Sequence, residues 1–184
     1  MTPVKFFLES LVLLLSLVYF WFLIENEINR YRKGNIIYYA SNLRIVVPLI
    51  AELLPKYYNE DDQCSLVELG AGQALAARGL SRVRRWKTVV AIEWAPSLVA
   101  LARIRSGRQV QIVRTDMYGF KPKRPSVVYC YLAPDIMKRL YESGNLNGCL
   151  VFSLTFEIPG IEADRICEFR HWQSPLRVYD LRHR

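Results

Sequence analysis

The chain has 184 residues, enough for one compact domain and a short appendage but not for two full domains plus a membrane segment. Apolar residues make up 52% and mean hydropathy is slightly positive, with the excess gathered at the amino-terminal end. Lys and Arg number 25 against 17 Asp and Glu, a net charge of +8 that favours anionic surfaces such as phospholipid headgroups or nucleic acid without choosing between them.

In chain order, the first element is the run from Phe6 to Ile24, FFLESLVLLLSLVYFWFLI, whose only charge is Glu9. Its length matches the hydrocarbon core of a bilayer crossed by a helix, and its apolar surface continues all the way round. Tyr19 and Trp21 lie near one end, where amphipathic rings suit an interface. A cleaved signal peptide would need small residues where Glu25-Asn26-Glu27 stand, and Lys5 is a poor basic leader, so an uncleaved anchor over residues 1–28 is expected. Arg30, Arg32, Lys33 and Arg44 follow it, which by the positive-inside rule puts the rest of the chain on the cytoplasmic side of a single-pass membrane protein.

Residues 29–62 read as a juxtamembrane segment and one helix, LRIVVPLIAELL, capped by Ser41 or Asn42 and kinked at Pro48. From residue 63 the pattern changes to apolar runs alternating with helical stretches. A strand ending in a glycine turn is expected in the stretch Ser65 to Ala76, and further strands at Thr88 to Ile92, Val110 to Val113, Val127 to Tyr131 and Leu150 to Phe156, with helices at Gln73 to Arg84, Pro96 to Ser106 and Asp135 to Ser143. That alternation predicts an α/β fold, Rossmann-like, with a mostly parallel sheet and right-handed crossovers. The closing ICEFRHWQSPLRVYDLR reads as an antiparallel hairpin turning at Gln173-Ser174-Pro175.

Chemistry is expected at the carboxyl ends of the strands. In VELGAGQA, Gly70 suits a tight turn and Gly72 lets the backbone approach a ligand, while Leu75 stands where a dinucleotide fingerprint wants a small residue. Glu68 would repel a pyrophosphate and favour a cation. One strand later Glu93 sits where an acid accepts hydrogen bonds from ribose hydroxyls, and one further Asp116 ends IVRTD. Three acids at successive strand ends describe a negative, hydroxyl-accepting rim around an adenosine-bearing cation such as S-adenosyl-L-methionine. Four scattered cysteines without a CxxC pair, and two histidines, lack metal-ligand spacing, so no metal is expected.

From residue 63 to the end the chain resembles the class I methyltransferases. With its amino-terminal apolar segment, ELGAG, IEWAPSLVALAR, TDMY and VVYCYLAPDIM, it looks like the small membrane-anchored protein-lysine methyltransferases that act on the ATP synthase c subunit and the adenine nucleotide translocase. The resemblance implies that Glu68, Gly70, Ala71 and Gly72 border the methionine part of the cofactor, Glu93 and Trp94 the ribose, and Asp116 with Met117 the adenine. It departs at Gln73 and Ala74, where the family usually has Asp and Gly. At the fourth strand end, Tyr131, Pro134 and Asp135 are expected to meet the acceptor. The implied acceptor is a lysine of a membrane or membrane-associated protein, in a bacterial inner membrane or a mitochondrial membrane. RNA, a lipid or a small molecule remain alternatives, as does a non-catalytic membrane scaffold with a degenerate cofactor site.

Overall fold

A computed structural model describes residues 3–33, 41–169 and 172–183 of the chain. These residues fall into two compact units, Met1–Ile37 and Tyr38–Arg184. The first unit is the helix α1 (Pro3–Lys33), longer than the apolar run that nucleates it. Within it Val4–Glu25, with mean hydropathy 2.3, is long and apolar enough to cross a membrane by length and composition. Phe6, Leu13 and Trp21 are each more than 60% exposed, so the apolar surface is not confined to one stripe. The Ser16 hydroxyl donates to the Val12 carbonyl at 2.8 Å, a bond within the helix that spares it an outside partner.

The second unit is built on a seven-stranded sheet. In chain order its elements are α2 (Leu43–Leu53), β1 (Ser65–Leu69), α3 (Leu75–Leu80), β2 (Val89–Glu93), α4 (Pro96–Arg105), β3 (Gln111–Arg114), β4 (Ser126–Cys130), α5 (Pro134–Glu142), β5 (Cys149–Leu154), β6 (Arg165–Phe169) and β7 (Trp172–Asp180). The spatial order is β3-β2-β1-β4-β5-β7-β6. The first five strands are parallel, and β7 inserts antiparallel between β5 and β6. Because β1 leads outward to β2 on one side and has β4 on the other, the topological switch point lies at the carboxyl ends of β1 and β4.

Alternation along the strands sorts the core into two faces. Leu66, Tyr129 and Phe152 face α2, α3 and α4, meeting Ile50, Leu53, Ala76, Leu80 and Ala102. Val67, Leu69, Val128 and Tyr179 face α5, meeting Ile136, Met137 and Leu140. Strands buried on both faces read as continuous apolar runs, which is why β1, β4 and β5 stand out in the sequence.

Three expectations need correction. The helix over Gln73 to Arg84 is shorter, Leu75–Leu80, because Ala74 adopts a left-handed conformation (φ 55°, ψ 30°) that cannot continue a right-handed helix. The hairpin does not turn at Gln173-Ser174-Pro175; these residues belong to β7, and Phe169 pairs with Trp172. Pro175 is tolerated there because its carbonyl, which accepts from the Thr155 amide at 2.7 Å, is the group this position supplies. Ser41 does not cap α2: its hydroxyl shares a 2.6 Å hydrogen bond with the Tyr129 hydroxyl, and Asn42 is the capping residue, through its backbone carbonyl.

Ala74 is fully buried as well as left-handed, so a β-branched side chain there meets both backbone strain and close packing. Ala74→Val is expected to lower stability by about 1–3 kcal/mol, measured by urea denaturation, whereas Ala74→Gly, which relieves the strain but loses a buried methyl, should stay within about 1 kcal/mol of the parent.

Candidate functional site

The turn after β1 is built from three left-handed residues, Gly70 (φ 63°), Gly72 (φ 54°) and Ala74. The Ala71 amide donates to the Ile92 carbonyl at 2.9 Å and the Ala74 amide to the Ala71 carbonyl at 2.8 Å, which pins the turn to the end of β2. A side chain at Gly70 would begin 2.7 Å from the Leu132 side chain and 3.9 Å from the Met117 methyl. The segments after β3 and β4 therefore close on this turn. Beside it is a cleft lined by Ser41, Glu68, Gly70, Ala71, Leu75, Tyr129 and Tyr131, at the switch point that the sheet order defines.

Glu68 is the buried acid of this cleft, 6% exposed near the end of β1. Its Oε2 accepts from the Ala77 amide at 2.6 Å, in the first turn of α3, where the backbone amide has no carbonyl of its own helix to bond. Burial pushes the carboxyl up to about 8; the Glu93 carboxylate adds to the rise and the Ala77 amide opposes it.

Glu93, at the end of β2, is held by three backbone amides: Oε2 accepts from Gly72 at 2.7 Å, and Oε1 from Trp94 at 2.7 Å and Ala95 at 2.8 Å. A carboxylate has roughly four lone-pair sites, so an acceptor position is left for a ligand hydroxyl. Trp94, the next residue, is 38% exposed. The Thr115 amide bonds the Glu93 carbonyl at 3.2 Å, and Asp116 Oδ1 accepts from the Tyr118 amide at 3.1 Å to start the short 3-10 turn Met117–Gly119. Tyr118 is fixed in turn by the Asn145 amide on its carbonyl at 2.7 Å and by Arg139 stacked 3.9 Å over its ring.

At the end of β4, Tyr131 lines the cleft and stacks on Phe156, ring centroids 5.7 Å apart and planes at 27°. Phe156 is carried by a tight turn after β5. Thr155 is left-handed (φ 67°), its carbonyl accepts from Arg177, and Ser153 Oγ donates to the Phe156 carbonyl at 2.7 Å. Pro134 and Asp135 are exposed at the start of α5 and are not among the residues lining the cleft. Gln73, in the position of the family acid, accepts a hydrogen bond from Arg105 of α4. Arg170 and His171, also considered from sequence, lie outside the described residues, as does the side chain of Trp172.

Sequence reasoning missed Ser41 and Phe156. Phe156 had a signal, since it closes the fifth apolar run and so lies at the same sheet edge as the acids. Ser41 had none: it reaches Tyr129 across 88 residues of chain.

No family model matches the chain, and no curated protein sequence matches it. Solved structures do match in shape. An RNA methyltransferase from Salinibacter ruber, in complex with S-adenosyl-L-homocysteine, aligns with TM-score 0.61 at 20% identity over 74% of this chain and 92% of that one. The rRNA methyltransferase aviRa from Streptomyces viridochromogenes gives 0.60 at 12% over 79% and 87%. The mitomycin 7-O-methyltransferase MmcR gives 0.51 at 12% over 72% and 53%. The second unit therefore has the fold of the class I methyltransferases, including the antiparallel seventh strand. The fold alone leaves the acceptor open, since two of these proteins are named for RNA and the third for mitomycin.

Glu68 makes the site sensitive to pH. Its folded value of about 8 lies above the ordinary 4.5, so its contribution to stability is fully present below about pH 4.5 and is lost as pH rises towards 8. The ligand-free protein should lose stability over that window by up to about 1.4 kcal/mol per pH unit, and Glu68→Gln should flatten the slope, read by urea denaturation at a series of pH values.

Proposed function

We propose that this chain is an S-adenosyl-L-methionine-dependent methyltransferase, held at a membrane by α1, that methylates a lysine of a membrane or membrane-associated protein. The observation that carries the cofactor reading is Glu68: a carboxyl buried beside the glycine turn at the switch point, where ionisation is costly unless a cation enters. The cofactor has an ammonium and a sulfonium, and the residues present fit it. Glu68, Gly70, Ala71 and Gly72 would hold the methionine part, with Gly70 at a point where a side chain would meet Leu132. Glu93, fixed by its three amides, would accept from the ribose beside Trp94, and Asp116 with Met117 would border the adenine. A bound cofactor supplies an electrophilic methyl group.

For transfer, the chain must align a neutral nitrogen with that methyl. The stacked Tyr131 and Phe156, with Leu132, form an apolar and aromatic wall that disfavours an ammonium and so favours the free amine. With the cofactor bound, the amine lone pair would be directed at the transferable methyl group, and the amine proton would pass to solvent or to a nearby acceptor. Tyr131 lines the cleft in that role, and the carboxyl groups of Asp135, next to Pro134, and of Glu157, next to Phe156, stand on the flanking segments. Positioning and loss of water contribute more here than a strong base.

Membrane attachment is supported by the length and apolar character of α1. Tethering raises the local concentration of membrane-borne acceptors without new contacts. Residues 1–28 serve as the anchor, 29–62 as the juxtamembrane segment and 63–184 as the methyltransferase domain in this reading. A second reading, methylation of RNA, is favoured by the printed activities of two of the proteins that share the fold. Its mark is a steep loss of substrate binding as salt rises.

Three measurements test the proposal. In calorimetric titration with S-adenosyl-L-methionine, Glu93→Ala should weaken binding about tenfold or more, in line with loss of a charged hydrogen-bonding partner; no binding by the folded parent protein would overturn the cofactor reading. Comparing membrane proteins by mass spectrometry with and without the gene should reveal a lysine methylation mark that depends on it. Tyr131→Ala should lower turnover by about tenfold to a hundredfold while cofactor affinity stays within about twofold, because it removes acceptor positioning alone.

A further inference from the structure

The charge of this protein is not spread over its surface. Between residues 69 and 115 there are nine Lys and Arg and a single acid, Glu93, so this quarter of the chain holds the whole net charge of +8 and the remainder is balanced. The structure gathers the surplus on one face. Arg82, Arg85 and Lys87 are exposed on the turn that leads from α3 into β2, and Arg103, Arg105 and Arg108 are exposed at the end of α4 and the turn into β3. Arg78 Nη1 bonds the Arg105 carbonyl at 2.8 Å and Ser81 Oγ the Gln109 side chain at 3.4 Å, joining the two segments. Arg84 is used differently, folded over Tyr58 and Trp86.

Two features indicate what covers this face. Ile104 is 81% exposed between the exposed Arg103 and Arg105, an apolar side chain flanked in the chain by two cations. An acyl boundary rewards such a group; an RNA backbone does not. The turns carrying Arg82 to Lys87 and Arg108 feed the amino ends of β2 and β3, while the cleft lies at the carboxyl ends, so these charges are poorly placed to guide a nucleic acid to the cleft. Of the two rings in this stretch, Trp86 is half-buried and donates its N–H to the Leu80 carbonyl at 2.8 Å, and Trp94 follows the carboxyl end of β2, away from the turns that carry Arg82 to Lys87 and Arg108.

We propose that this face docks on anionic phospholipid, with guanidinium groups on the headgroups and Ile104 at the acyl boundary. It is a second membrane contact, distinct from α1 and separate from methyl transfer. It restricts how the domain stands over the bilayer, and its strength falls as salt screens the charges.

The test uses the full chain reconstituted in vesicles of phosphatidylcholine alone or with phosphatidylglycerol. Ile104→Cys, in a Cys167→Ser background, carries a polarity-sensitive fluorophore; the other three cysteines are buried. Flotation of the protein reports α1, and the fluorophore reports the face. The expected result is flotation with both vesicles but a blue shift only with phosphatidylglycerol, reversed by salt and lost in the triple variant R82E/R85E/R103E. Equal emission in both vesicles overturns the proposal, as does a shift produced by added RNA and not by lipid. Flotation with neither vesicle overturns the α1 reading, and absence of the shift in that case overturns this one too. Cofactor titration of the labelled chain confirms an intact cleft whichever result is obtained.

Discussion

The buried carboxyl of Glu68 is the interaction on which the site depends. It stands near the end of the strand that neighbours both halves of the sheet, and it bonds the first turn of α3 through the Ala77 amide. One side chain thus links sheet, helix and cleft. Its ionisation is opposed by burial, and the cost is removed by whatever cation the cleft accepts. That one desolvated group bears on domain stability and, in the proposed reading, on cofactor preference as well. A neutral Gln could keep the hydrogen bond to Ala77 but would discard the electrostatic selection.

Around that carboxyl the other strand ends are interlocked rather than merely adjacent. Gly70 is crowded by Leu132 and approached by Met117, so the turns after β1, β3 and β4 share one small volume. Glu93 closes the glycine turn from the other side through the Gly72 amide while keeping its carboxylate at the rim. Beyond β5, a left-handed Thr155 is held by the Thr155 amide on Pro175 and by Arg177 on its carbonyl, which brings Phe156 against Tyr131. Strain of that kind persists where neighbouring contacts outweigh it, and it occurs here beside the proposed acceptor wall.

Charge is organised on a different principle from the cleft. The cleft is acidic and largely buried; the α3–α4 face is basic, exposed and joined by bonds between its two segments. In the proposed reading, separating the two signs across the domain keeps a cationic cofactor and an anionic surface from competing.

Much of this was legible in the sequence, for local reasons. Doubly buried parallel strands must be continuous apolar runs, so β1, β4 and β5 declared themselves. The apolar span within α1 also followed from composition, although the helix runs beyond it to Lys33. What the tertiary structure decided was everything that depends on residues distant in sequence. Ala74 delays the start of a predicted helix because the turn it completes is tied to β2; Pro175 sits within a strand because the chain after β5 uses its carbonyl; and Ser41, which caps nothing, is spoken for by Tyr129. Periodicity and propensity register how a residue suits its neighbours along the chain, whereas these positions are set by hydrogen bonds and close contacts between segments that meet only when the sheet has formed.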